Sequence, residues 1–165
     1  VSDPGNMGSL IRSAFGFGAD AVVTTGGCDP WAPKTIRSSM GMGLQLPVLE
    51  TDGGGWTAAL QSILSAPSPA QMKQLYPPFE AAQEDFQVLV ADMGDGAVPY
   101  HEVDFTKPTI LLIGSEATGP SLEVHALPGA RKVYIPMLRD LESLNAAVAG
   151  SVILSEAARQ RAASK

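Results

Sequence analysis

The strongest constraint on the fold is an alternation. Short apolar runs are separated by stretches whose apolar residues recur at helical spacing. Asp20–Thr25, Leu46–Leu49, Phe86–Ala91, Thr109–Ile113 and Val133–Ile135 read as strands, each followed by turn-forming or polar residues. Met7–Phe15, Lys34–Met40, Trp56–Leu64, Leu122–Ala126 and Leu144–Ala163 read as helices between or beyond them. Such a pattern predicts the α/β class, with a mostly parallel sheet and helices on both faces. Thr109–Ile113 is the most hydrophobic run and is expected to be a central strand buried on both faces. Tyr100–Val103 reads as an edge segment. Ser65–Asp85, with Pro67, Pro69, Pro77 and Pro78, reads as a loop or insertion.

Ligands in open parallel sheets bind beyond the carboxyl ends of the strands. The loops Asp3–Gly8, Gly114–Ser121 and Pro136–Asn145 are expected at that edge. They carry Asn6, with Arg12 just beyond, then Glu116, then Ser143 and Asn145. Each has a plain reading. Ser143 is a good helix N-cap, Arg12 a solvated helix cation, Glu116 an exposed loop acid, and the glycines serve backbone geometry. Their convergence on one edge favours a polar site. His101 and His125 lack a paired ligand at metal spacing, so no metal is expected. No dinucleotide or Walker A fingerprint is present. Residue chemistry alone stops at an α/β domain with a polar, metal-free site for a small molecule.

The chain of 165 residues is long enough for one domain with a sizeable core. Its residues are 45% hydrophobic and 17% charged, which excludes a disordered tail. No apolar run reaches the roughly 20 residues of a membrane helix. The single Cys28 forbids an internal disulfide and suits a reducing compartment. It reads as an incidental strand-end residue rather than a nucleophile. A net charge of -6 argues against a grip on nucleic acid by bulk electrostatics alone. The first residue is Val1, and the strand expected before Asp3 is missing, so a chain truncated at its N-terminus is expected. The expected location is cytoplasmic, or an organelle if a targeting segment preceded Val1.

Three segments carry a family resemblance. Asn6-Met7-Gly8-Ser9-Leu10-Ile11-Arg12 resembles the first motif of the SpoU (TrmH-like) RNA 2′-O-ribose methyltransferases, with its Asn-x-Gly-x-x-x-Arg core. Ile110–Ser121 resembles the second motif and Ile135–Ala149 the third, in family order. The resemblance covers nearly all of residues 1–165. It implies the SPOUT class, an α/β fold with a C-terminal deep trefoil knot that holds S-adenosylmethionine. It places Ile113, Gly114, Ile135, Met137, Leu144 and Asn145 at the cofactor. Arg12, Asn6, Glu116, Ser143 and Asn145 become the catalytic set, with Arg12 acting on the ribose 2′-hydroxyl. It further implies a homodimer through the C-terminal helix and an RNA substrate, with ribosomal RNA favoured over transfer RNA. A non-catalytic RNA- or ribosome-associated module is the rival reading, and a SPOUT enzyme acting on a base is a third.

Overall fold

A computed structural model describes residues 1–51, 86–116, 119, 120, 124, 127 and 129–164. The expected helices Trp56–Leu64 and Leu122–Ala126 (apart from Val124) and the Pro-rich Ser65–Asp85 lie outside the described residues. The described elements run α1 (Pro4–Gly16), β1 (Val22–Thr24), α2 (Pro33–Ser38), β2 (Val48–Glu50), β3 (Gln87–Ala91), β4 (Val98–Pro99), β5 (Thr109–Ile113), β6 (Arg131–Tyr134) and α3 (Ala146–Ala163).

Every described ladder is parallel, as the alternation predicts. β1 and β2 form one small sheet, and the other four strands a second in the order β4-β6-β3-β5. The inner strand β3 shows why a continuous apolar run is needed there. Successive side chains of a strand point to opposite faces. Leu89 faces Val133, Val103, Phe105 and Ile153 of α3, while Val88 and Val90 pack with Val124. Both faces are therefore covered, and Leu89, Val90 and Val133 are at most 1% exposed.

β5 corrects an expectation. Thr109–Ile113 is the edge strand of the four, and each of its residues is only half-buried. Hydrophobicity reports how well a strand's faces are covered. Ile110 and Leu112 do pack against the Val88–Val90–Val124 cluster. Lateral rank is set by the ladder partners, which composition does not encode. A second difference concerns Tyr100–Val103. The edge strand β4 comes just before it, and Tyr100–Glu102 forms a 3-10 turn.

α1 is the hub between the two sheets. Its buried stripe is Met7, Gly8, Ile11 and Ala14, at the i, i+4, i+7 spacing of one helical face. On one flank Gly8 meets α2 so closely that a Cβ would collide with Ser38 Oγ and lie 2.7 Å from the Thr35 carbonyl oxygen. Ser38 Oγ donates across the seam to the Pro4 carbonyl at 3.0 Å. On the other flank, Gly150 of α3 lies against Leu10, and the Ser13 and Ser151 hydroxyls hydrogen-bond at 2.7 Å. Small residues at both crossings let α2 and α3 approach α1 closely.

Candidate functional site

The site is assembled from three chain reversals. In the first, Asp3 caps α1. Its Oδ1 accepts from the Asn6 backbone N–H at 2.9 Å, and Pro4 occupies the first helical position, where no N–H is required. The carboxamide of Asn6 is thereby held in the first turn. In the second, the chain leaves β5 at Gly114 and folds back, with Ser115 and Gly119 exchanging backbone bonds of 3.1 and 3.0 Å. A Cβ on Gly114 would run into the Gly119–Pro120 backbone, so only glycine allows this reversal, and Glu116 stands at its tip. In the third, Asn145 caps α3, its Oδ1 accepting from Ala147 N–H at 2.9 Å and Val148 N–H at 3.2 Å.

These three side chains form a directed hydrogen-bond chain. Asn145 Nδ2 donates to Asn6 Oδ1 at 2.9 Å, and Asn6 Nδ2 donates to Glu116 Oε1 at 2.7 Å. The Ser2 backbone N–H supplies a further donor, to Glu116 Oε2 at 2.9 Å. The helix cap fixes which end of Asn145 is oxygen, Asn145 then fixes Asn6, and Asn6 presents its N–H to Glu116 as acceptor. Burial alone would push the Glu116 carboxyl up. The bonds from Asn6 and Ser2 outweigh it and bring the pKa down to about 2, so the anion is the resident form near neutral pH.

Asn6, Glu116 and Asn145 are thus brought together as expected. Ser143 is a correction in its structural role. α3 starts at Ala146 and its N-cap is Asn145, because the Asn145 oxygen reaches two free N–H groups at once. Ser143 and Leu144 precede the helix, Ser143 exposed and Leu144 half-buried. Arg12 is exposed on α1 and makes no hydrogen bond or ion pair among the described residues.

Ile113 and Gly114 end β5, while Ile135 and Met137 follow β6, all half-buried. β3 lies between those strands, so the two strand ends stand roughly 10 Å apart across two strand spacings. A separate open groove of about 590 Å³ runs along α3 from Asn6 and Asn145 past Val148 and Val152 to Arg159. None of Ile113, Gly114, Ile135, Met137 or Leu144 lines it.

Asp3, Ser2 and Lys34 belong to the site although sequence reasoning passes over them. The signal for Asp3 is present, since Asp before Pro is an N-cap followed by the residue best suited to position N1. Lys34 of α2 reaches Asp3 Oδ2 at 3.3 Å. Cys28 is half-buried, and burial pushes its thiol up, which fits the non-nucleophilic reading. No cluster of metal-ligating residues occurs among the described residues. No helix there is long and apolar enough to cross a membrane.

The family model described as the SpoU rRNA Methylase family matches residues 1–66 and 56–155. A 23S rRNA (uridine(2479)-2'-O)-methyltransferase of Streptomyces viridochromogenes is 37% identical over 161 residues, covering 97% of this chain and 50% of the relative. The tRNA (guanosine(18)-2'-O)-methyltransferase of Escherichia coli is 42% identical over 78 residues, covering 47% of this chain and 34% of its own length. Among solved structures, the SpoU methyltransferase AviRb from Streptomyces viridochromogenes in complex with AdoMet superposes with a TM-score of 0.75 at 35% identity. That match covers 98% of this chain and 58% of AviRb. The chain spans about half the length of the curated relatives it matches over nearly its whole extent.

Proposed function

The chain belongs to the SpoU rRNA Methylase family, and from that premise we propose that it is the catalytic part of an S-adenosylmethionine-dependent RNA 2′-O-ribose methyltransferase. The observation that carries this reading is the Glu116–Asn6–Asn145 chain. It ties one residue from each of the three motif loops into a single polar cluster at the carboxyl edge of a parallel sheet. Relatives named for ribosomal and for transfer RNA both match, and ribosomal RNA is our preferred substrate.

The chemistry of the flanking loops fits the cofactor. Half-buried Ile113, Ile135, Met137 and Leu144 offer apolar contact, and the tight Gly114 reversal leaves backbone groups accessible. With Asn145 they would hold S-adenosylmethionine, which supplies an electrophilic methyl group when bound. In the SPOUT reading these loops belong to a C-terminal trefoil knot. The chain's own residues then orient the ribose. Arg12 has its donors free to bind the neighbouring phosphate and polarise the 2′-hydroxyl. A guanidinium keeps its proton and is a poor base. Glu116, with both oxygens already accepting and its pKa at about 2, is a poor base as well. The hydroxyl oxygen gains positive charge as the methyl–oxygen bond forms, so its proton becomes acidic and leaves to solvent past the Arg12–phosphate pair. Asn6 and Asn145 use both ends of their amides on neighbours, so they position Glu116 and the third loop. Ser143, exposed beside them, shapes the ribose side.

The protein acts as a homodimer in this reading, with the groove along α3 as the contact. Val148 there is 48% exposed.

Calorimetric titration of S-adenosylmethionine into the chain tests the reading, with Leu144→Arg alongside. Saturable binding, lost in the variant, is expected. A folded wild-type chain that takes up no cofactor overturns it.

A further inference from the structure

We propose that a small pocket at the carboxyl ends of β1 and β2 reads the base of the nucleotide whose ribose meets the Glu116–Asn6–Asn145 cluster, and that Glu50 makes it select guanine. This names a specificity for the methyltransferase reading and rests on it. β1 and β2 are parallel and end in register at Thr24 and Glu50. Just beyond them lies a cavity of about 130 Å³, between the turn of residues 26–29 on one side and Thr24, Glu50 and Thr51 on the other. It is well below the ~300–1,000 Å³ of a pocket that encloses a whole small-molecule ligand, and suits one ring system. Its floor is already satisfied. Thr24 is buried, and its hydroxyl donates to the Leu49 carbonyl at 3.4 Å. The Thr51 N–H and hydroxyl both reach the Thr24 carbonyl, at 3.0 and 3.4 Å. Two carboxylates remain for a ligand. Glu50 is exposed and makes no hydrogen bond or ion pair among the described residues. Asp29 accepts from the Trp31 N–H at 2.7 Å and has no cation partner among them.

Such a lining repels phosphate and accepts from N–H donors. Guanine carries N1–H and the N2 amino group side by side on its pairing edge, and both can bond one carboxylate. Uracil offers a single N–H between two carbonyl oxygens, which face a carboxylate unfavourably. Adenine and cytosine set one amino group beside a ring nitrogen that is itself an acceptor. Unstacked bases of single-stranded RNA are read on these edges. One peptide unit joins the pocket to the cluster. The Val1 carbonyl accepts from the Cys28 N–H at 3.2 Å, and the N–H of the same peptide, on Ser2, donates to Glu116 Oε2 at 2.9 Å. With ordinary C=O and C–N lengths, the Cys28 nitrogen lies within about 9 Å of the Glu116 carboxylate. The pairing edge and the 2′-hydroxyl of one nucleotide are a similar span apart, so base and ribose can occupy the two places together. Gly27 permits the approach. Its φ is +94°, and a Cβ there would collide with the Val1 carbonyl oxygen.

The test holds the cofactor site filled and varies one base. Labelled single-stranded RNA nonamers, all uridine except for a central guanosine, inosine or uridine, are titrated by fluorescence anisotropy into the chain saturated with S-adenosylhomocysteine. Inosine is guanosine without its N2 amino group. Wild type is expected to bind the guanosine oligomer about tenfold more tightly than the other two, the scale of a bidentate base contact. Glu50→Gln replaces one acceptor oxygen by a donor and is expected to bring guanosine and inosine to parity. Losing an anion strengthens binding to every oligomer alike, so the guanosine-to-inosine ratio is the readout. Glu102→Gln makes the same charge change on the 3-10 turn after β4, at the opposite edge of the larger sheet from β5, and is expected to keep the ratio. Affinity for S-adenosylmethionine is measured by calorimetry on the same proteins, and Glu50→Gln is expected to match wild type. Equal binding of guanosine and inosine oligomers by wild type, no RNA binding, or an unchanged ratio in Glu50→Gln overturns the base pocket. Weaker cofactor binding in Glu50→Gln overturns it too, and gives the pocket to the cofactor's own adenine. In each of these cases a wild type that binds the cofactor leaves the methyltransferase reading standing. A folded wild type that takes up no cofactor removes both.

Discussion

Replacing Gly8 by alanine is the sharpest test of how the site is held. In an ordinary helix interior the change would stabilise by up to about 1 kcal/mol, because glycine loses more backbone freedom on folding. Here the new methyl group points into α2. It overlaps Ser38 Oγ and sits 2.7 Å from the Thr35 carbonyl oxygen, a backbone atom that no rotamer change can move. Forcing a group into a filled space costs about 1–3 kcal/mol. Turning the Ser38 hydroxyl away also loses its bond to the Pro4 carbonyl, worth about 1 kcal/mol. The net expectation is destabilisation by about 1–3 kcal/mol. For a chain of this size that lowers the midpoint by roughly 2–12 °C. Differential scanning calorimetry of Gly8→Ala measures it, with Gly16→Ala as control. Gly16 is in the same helix, and nothing stands within 4 Å of its would-be Cβ. The control is expected to melt at or slightly above wild type. A Gly8→Ala protein that melts with the control refutes the close-packed seam.

Other expectations rest on the same packing and hydrogen bonds. Gly150→Ala should cost less than Gly8→Ala, because its clash is with the flexible end of Leu10; paired thermal melts compare them. Asn145→Ala should lose about 1 kcal/mol through the missing cap, together with methylation. Asn145→Asp should keep the cap yet lose methylation, since a carboxylate has no donor for Asn6 Oδ1; denaturant titration and a methyl-incorporation assay separate the two effects. Glu116 has a folded pKa of about 2 against an ordinary value of 4.5. Its contribution to stability should be complete above about pH 4.5 and fade as pH falls toward 2. Glu116→Gln should remove that acid-side loss in pH-dependent melts without altering the profile between pH 6 and 8. If the proposed homodimer forms through the groove along α3, Val148→Arg should shift it toward monomer in light scattering.

Sequence patterning locates most of the described elements because hydrophobic period is a local property. α1, β3 and β5 fall within a few residues of their expected spans. Strand order is not legible. Thr109–Ile113 looks central by composition and is an edge strand, since its ladder with β3 depends on partners far away in sequence. The polar cluster is visible as residue types on three loops. Its wiring is not, because the same Asn145 can cap a helix, bridge to Asn6 or do both, and only the fold decides. Asp3 shows a missed local signal: helical apolar spacing begins at Met7, while the Asp-Pro pair starts the helix at Pro4.

The amide chain also fixes when a site can exist. Asn6 lies 110 residues from Glu116 and 139 from Asn145 along the chain, yet the three meet within hydrogen-bond distance. No contiguous fragment shorter than residues 6–145 contains all three members of the cluster. As the polypeptide emerges from synthesis, Asn6 and Glu116 must wait for the start of α3 before Asn145 can orient them. In the methyltransferase reading, partly folded chains are silent until segments more than a hundred residues apart have met.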